Sequence, residues 1–176
     1  VEQIELTMDA IVGSLRANLP TKLEELNGRV RARHPVGDPR RFDVDVLEPE
    51  KILFGGAPIV TPELAPFVEV AIPDGNATDD GDLHQLGYEM ESNLIVRFWN
   101  ADPDFERLYR TSLRYLAAIY NVLTTPGAEA DPDEGSAIDV VGFRFAFRVD
   151  PEQDDREEFF QGGVFALNLG SSALRQ

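Results

Sequence analysis

The sequence predicts an α+β domain: an antiparallel sheet of about four strands, in two hairpins, packed on a long central helix and an N-terminal helix. Apolar side chains recur at helical spacing at Ile4, Met8, Ile11, Val12 and Leu15, and again through residues 105–123. They alternate at strand spacing in "FVEVAI" (67–72), "YEMESNLIVRFW" (88–99), "IDVVGFRFAFRV" (138–149) and "FFQGGVFALNL" (159–169). Their order is helix, helix, strand, strand, helix, strand, strand, so two hairpins bracket one long helix.

Residues 2–18 read as the first helix. Pro20 suits the first turn of a second, shorter helix, "PTKLEELNGR", with Gly28 as its stop. "RVRARHPVGDPRR" is basic and broken by Pro35, Gly37 and Pro39, and it opens a long loop over about 31–66 that has room for one short strand. Two further loops, at about 73–87 and 125–137, are polar and acidic. In the second strand Tyr88, Met90, Leu94, Val96 and Phe98 take one side, and Glu89, Glu91, Asn93 and Arg97 the other. In the third, Val141, Phe143, Phe145, Phe147 and Val149 share a side opposite Arg144 and Arg148. The polar side of the sheet therefore gathers Glu69, Glu89 and Glu91 beside Arg97, Arg144 and Arg148, an arrangement that allows cross-strand ion pairs. "FQGGVF" reads as a bulge or a close backbone approach within the last strand. The whole chain, 1–176, forms one domain.

Composition narrows the function. Formal net charge is −16, split unevenly: residues 1–42 hold seven basic and six acidic side chains, and residues 43–176 hold nine and 26. Such a surface repels the phosphate backbone of nucleic acid. The only lysines are Lys22 and Lys51, so arginine supplies nearly all the positive charge. Few lysines and many acids fit a GC-rich genome, a high-salt host, or both. The chain has no cysteine, which excludes thiol chemistry and disulfides. No apolar run reaches the roughly 20 residues of a membrane span. The opening "VEQIELTMDAIVGSL" is acidic and polar-interrupted, so no secretory signal is expected.

No motif supports catalysis. His34 lies in the basic Pro-rich loop and His84 in an acidic hairpin tip, and neither accompanies a nucleophile elbow. "DGNATDDGD" places Asp74, Asn76 and Thr78 at alternate positions like the start of a calcium loop, but Asp79 stands where glycine is required and Gln85 where glutamate is. "DPDEG" (131–135) is a shorter fragment of the same kind. Both read as solvated acidic loops. "FGGAP" (54–58) is a turn and not a phosphate cradle. The expectation is a non-enzymatic protein with no catalytic, cofactor or metal residues.

The helix over 105–123 has one distinctive edge. "ADPDFE" starts it, with Asp102 as N-cap and Pro103 in the first turn. With Phe105 at 0° and about 100° per residue, Leu108, Tyr109, Ser112, Leu113, Leu116, Ile119, Tyr120 and Leu123 form the expected core stripe. Arg107, Arg110 and Arg114 lie opposite, with no acid among them. Glu106 can reach Arg110 and Asp104 can reach Arg107, but Arg114 has no acid at i±3 or i±4. Arginine forks pair well with carboxylates at interfaces. Arg107, Arg110 and Arg114 are therefore a candidate subunit interface, facing an acidic loop of the same chain or of a neighbouring copy.

The N-terminal helix ending "LRANLPTKLEELNG", the Pro-broken loop, the long-tipped hairpin, "DPDFERLYRTSLRYLAAIYNVLTTP" and the closing hairpin together resemble the tail terminator (tail completion) proteins of long-tailed, lambda-like phages, and the acidic, lysine-poor composition leans towards related tailed viruses of salt-loving archaea. The resemblance implies a structural virion protein. It would assemble with itself into a ring, as a hexamer, at the tail–neck junction, after synthesis in the host cytoplasm. The ring would cap the tail tube, end its polymerisation and join it to a neck or stopper protein. DNA would only pass through the channel, whose acidic wall would repel it; no membrane is involved. The family carries no catalytic residues to transfer. The alternatives are another neck or head–tail joining (stopper) protein, and a calcium-binding module.

Overall fold

The structure is a computed structural model and describes residues 2–55, 62–72, 94–125, 138–149 and 159–169. It is the α+β fold expected. Helix α1 (Glu2–Arg33) is followed by strands β1 (Ile52–Phe54), β2 (Phe67–Ala71) and β3 (Leu94–Asp102), helix α2 (Phe105–Thr124), and strands β4 (Ile138–Val149) and β5 (Phe159–Leu169). The sheet has five strands in the order β1-β2-β3-β5-β4. Both hairpins form: β2 pairs antiparallel with β3, and β4 with β5, and the two join through antiparallel β3 and β5. The short strand for which the 31–66 connection has room is β1, and it extends the sheet as a parallel neighbour of β2. Three residues are too few to show a period, so neither its place nor its partner could be read from spacing. The expected loops at 73–87 and 125–137 and the strand residues 88–93 lie outside the described residues, apart from Thr125.

The N-terminal region is one helix and not two, since α1 runs through Pro20 and Gly28. Proline in a helix interior costs about 3 kcal/mol. The apolar stripe crosses it without interruption: Leu15, Leu19 and Leu23 are fully buried. Each buried leucine contributes about 1.5–3 kcal/mol, enough to hold both sides of the break in one helix. Arg31 and Arg33 in the last turn suit the negative end of the dipole.

Both helices pack on one face of the sheet. The core there joins Met8, Leu15, Leu19 and Leu23 of α1 to Val68, Val70, Val96, Phe98, Phe165 and Leu167 of the strands and to Tyr115 and Ile119 of α2. On the other face Phe67, Trp99 and Phe160 form a smaller cluster, with Trp99 stacked on Phe160 at 5.0 Å between centroids. Two adjacent glycines of β5 serve the two faces. A Cβ on Gly163 would lie 2.4 Å from the Phe98 ring, and one on Gly162 would lie 2.8 Å from the Trp99 ring. The expected close backbone approach at "FQGGVF" is therefore real, because each glycine leaves room for one aromatic ring.

Opposite these glycines β4 slips register between Phe145 and Phe147, and it slips again between Val140 and Gly142. The alternation expected along β4 is thereby broken. Arg144 pairs in register with Val164, whereas Arg148 pairs with Gln161, a position of opposite parity. One extra residue in a strand shifts everything beyond it by half a period.

Candidate interaction surfaces

Helix α2 starts one residue pair later than its sequence suggested. Asp104 is the N-cap, its side chain accepting from the Arg107 N–H at 3.0 Å. Asp102 instead accepts from the Asp104 N–H at 2.8 Å, as the side chain of a turn that presents the cap. The helix is also rotated from expectation. Its buried residues are Leu108, Thr111, Ser112, Tyr115, Ala118, Ile119 and Val122. They centre near 280° on the wheel, roughly a quarter-turn from the expected stripe. Apolar residues occupy more than half the circumference of α2, so periodicity alone did not choose which part faces inward. The choice follows from what grips the other side.

That grip is a strap, residues 38–47, laid over α1 and α2. Arg114 Nη1 donates to the Phe42 carbonyl at 2.5 Å and Nη2 to the Arg40 carbonyl at 2.8 Å. Its guanidinium also lies 4.0 Å from the centre of the Phe42 ring. Burial lowers the Arg114 pKa from its ordinary value, and the Arg110 charge adds to this. The Tyr115 hydroxyl donates to the Asp45 carbonyl at 2.8 Å, and burial pushes its pKa up, with Asp45 adding to the shift. From α1, buried Asn27 brackets Val44, donating to its carbonyl at 2.8 Å and accepting from its N–H at 2.9 Å. Val44 and Leu47 of the strap are buried in the core. At its start Asp38 receives both guanidinium bonds of Arg40 and lies 3.4 Å from His34 Nδ1. The Arg40 hydrogen bonds hold the Asp38 carboxyl well below the usual carboxylate range.

The candidate interface residues therefore all have partners in their own chain. Arg107 Nε lies 3.2 Å from Asp102, and Arg110 2.7 Å from Glu106. Asp104, expected to pair with the Arg107 side chain, caps the backbone instead. Of the two destinations foreseen for the arginine edge, a loop of the same chain receives Arg114, through backbone carbonyls and not through carboxylates.

The opposite side of α2 was missed as a surface because it had been assigned to the core. Tyr109, Leu113 and Tyr120 are 42%, 41% and 49% exposed, and Phe143 on β4 is 40% exposed. Phe105 marks the upper end of this flank with an edge-on contact to Phe159 at 5.6 Å.

On the far face of the sheet, Glu69 and Arg97 stand in register on β2 and β3, and they pair at 2.7 Å as the strand pattern predicted. Glu69 is 1% exposed and also accepts from Trp99 Nε1 at 3.1 Å. A buried carboxylate held by a guanidinium and an indole N–H is a structural junction. Glu89 and Glu91 lie outside the described residues, as do the Arg144 and Arg148 side chains.

Among the described residues no group of three or more His, Asp or Glu side chains could hold a metal ion. The acidic stretches 74–82 and 131–135, with His84, lie outside them. No described helix is long and apolar enough to cross a membrane. No protein-family profile, curated protein or solved structure matches the chain.

Proposed function

We propose that this protein works by self-assembly, as a ring-forming structural component of a viral particle. Within that class, the particular reading is a tail terminator: a ring that caps the tail tube, stops its growth and seats the neck. The observation that carries it is the exposed apolar flank of α2, Tyr109, Leu113 and Tyr120, on a chain of net charge −16. Contiguous exposed apolar surface of this kind marks interaction sites. The arrangement of helices, hairpins and Pro-broken strap, which resembles that family, supports the same reading. The strongly acidic composition suits a channel wall that lets DNA slide past without gripping it.

The test is the mass of the intact chain by light scattering at low and at high salt, followed by negative-stain imaging. A closed ring, six-fold for the terminator, is expected, with assembly strengthened by salt that screens the acidic surfaces. A strict monomer under both conditions counts against the reading. Addition of rings to growing tail tubes should then limit tube length.

A further inference from the structure

We infer that one buried water molecule binds between the first half of α2 and the centre of the sheet, held by Asn100 of β3, Gln161 of β5 and Ser112 of α2. The strap holds α2 from one side, and this water ties its inward side to the strands. The inference does not depend on the ring reading. Asn100, Gln161 and Ser112 are each at most 5% exposed. Asn100 Nδ2, Gln161 Oε1 and Ser112 Oγ are shut off from solvent, and none has a hydrogen-bond partner among the described residues.

The backbone brings the three together. Asn100 follows Val96 and Phe98 on the side of β3 that forms the core beneath the helices. Gln161 shares the corresponding side of β5 with Gly163, where a Cβ would meet the Phe98 ring, and with Phe165 of that core. Asn100 and Gln161 are also partners in the β3–β5 register, which sets their Cα atoms about 4.5–5.5 Å apart. Ser112 supplies the roof. The chain reverses between Asp102 and Phe105, so α2 runs back over the strand it left. Tyr115 lies against Phe98, with ring centres 6.4 Å apart. From that contact Ser112 is one turn, about 4.5 Å, towards the start of α2, and Asn100 is two residues, about 6.8 Å, towards the end of β3. Both steps run in the same direction, so the Ser112 hydroxyl stands over the two amides.

The chemistry selects the occupant. Asn100 presents a donor, Gln161 an acceptor, and Ser112 a hydroxyl that serves as either. A water accepts from the first, donates to the second and completes its bonding on the third, the three contacts typical of an internal water. The two amides do not bond to each other directly, since the Asn100 donor and the Gln161 acceptor both lack partners. A bridging water joins such groups across a gap at almost the strength of a direct bond. An apolar group in the same place would leave all three stranded. The three holders are neutral, so an ion would be buried with no counter-charge from them.

Water–protein cross-relaxation by NMR on the full chain tests this directly. The Asn100 side-chain amide should show a cross-peak to water that changes sign between laboratory-frame and rotating-frame spectra, as a bound water requires. The exposed amide of Asn18 should show none of that kind. A peak of unchanged sign reports proton exchange and would overturn the site. The peak should persist in Ser112→Ala, and its loss there would assign it to the hydroxyl proton and overturn the water. Urea unfolding of Asn100→Leu, Gln161→Met and the double variant supplies the second measurement. Each single change strands the other residue's amide and should lower the folding equilibrium constant about tenfold or more, and the double change should lower it by far less than the product. Independent losses would overturn a shared site. Coupled losses without a bound-water peak would mean a direct amide pair, and would overturn the water in its favour.

Discussion

The two sides of α2 are built on opposite terms. On the strap side, polar groups of α1 and α2 have backbone partners: Arg114 on two carbonyls, Tyr115 on a third, Asn27 on both backbone groups of Val44. On the other side Leu113 and Tyr120 are nearly half exposed, and Tyr109 with them. A segment without regular structure must have its backbone groups satisfied by side chains or water. The strap does this with residues that a sequence reader would assign to a surface. The apolar flank, by contrast, carries residues that a reader would assign to a core. Charge and hydropathy mark what a side chain can do, and the fold decides which side of the helix uses it.

The largest effect should come from breaking the strap where it is driest. Asn27 is 4% exposed, and Asn27→Ala removes two hydrogen bonds while leaving the Val44 N–H and C=O buried. The expected loss is about 2–6 kcal/mol, at about 1–3 kcal/mol for each of the two stranded groups. Urea unfolding measures it, and a loss below 1 kcal/mol would mean that water replaces the amide. Arg114→Ala comes next. It removes two charge-assisted bonds and the contact with Phe42, but the site is partly open, so about 1–2 kcal/mol is expected. Arg114→Lys should recover less than half, because an ammonium cannot span two carbonyls in the way a planar fork does.

Much of the fold was legible because it rests on periodicity. The β2–β3 and β4–β5 hairpins, the long second helix and the Glu69–Arg97 pair all follow from spacing, and spacing survives packing. The features that were not legible depend on partners distant in sequence. Arg114 showed no acid within a helical turn, which was true, but its partners are carbonyls 72 and 74 residues away, and any residue could supply those. Pro20 read as a helix start because local rules ignore the leucines buried on either side of it. The slip in β4 opposite Gly162 and Gly163 has no local signature in β4, and the glycines themselves answer to the rings of Phe98 and Trp99 on β3.

Tyr115 sharpens the comparison through pH. Burial raises its phenol pKa, so the folded state keeps a proton that the unfolded chain releases above about pH 10. With the folded pKa raised, the contribution is fully present below pH 10 and lost as pH rises above it. Thermal melting should therefore fall in this range. Tyr115→Phe should cost about 1 kcal/mol at neutral pH by removing the bond to Asp45, and it should flatten the alkaline decline. An unchanged decline would locate the sensitive group elsewhere.

The smallest effect on the folded chain belongs to the opposite side. Leu113→Ser removes an exposed side chain, and its cost in the monomer should stay within about 0.5 kcal/mol. Leu108→Ser, one and a half turns earlier on the same helix, should cost several times more because Leu108 is fully buried. Measured at a protein concentration low enough to keep the chain monomeric, this contrast tests the rotation of α2 directly. Near-equal losses would place Leu113 in the core, as its spacing alone suggests, and the apolar flank would cease to be a surface. If the contrast holds, any larger effect of Leu113→Ser that emerges only as concentration rises must come from contacts between copies.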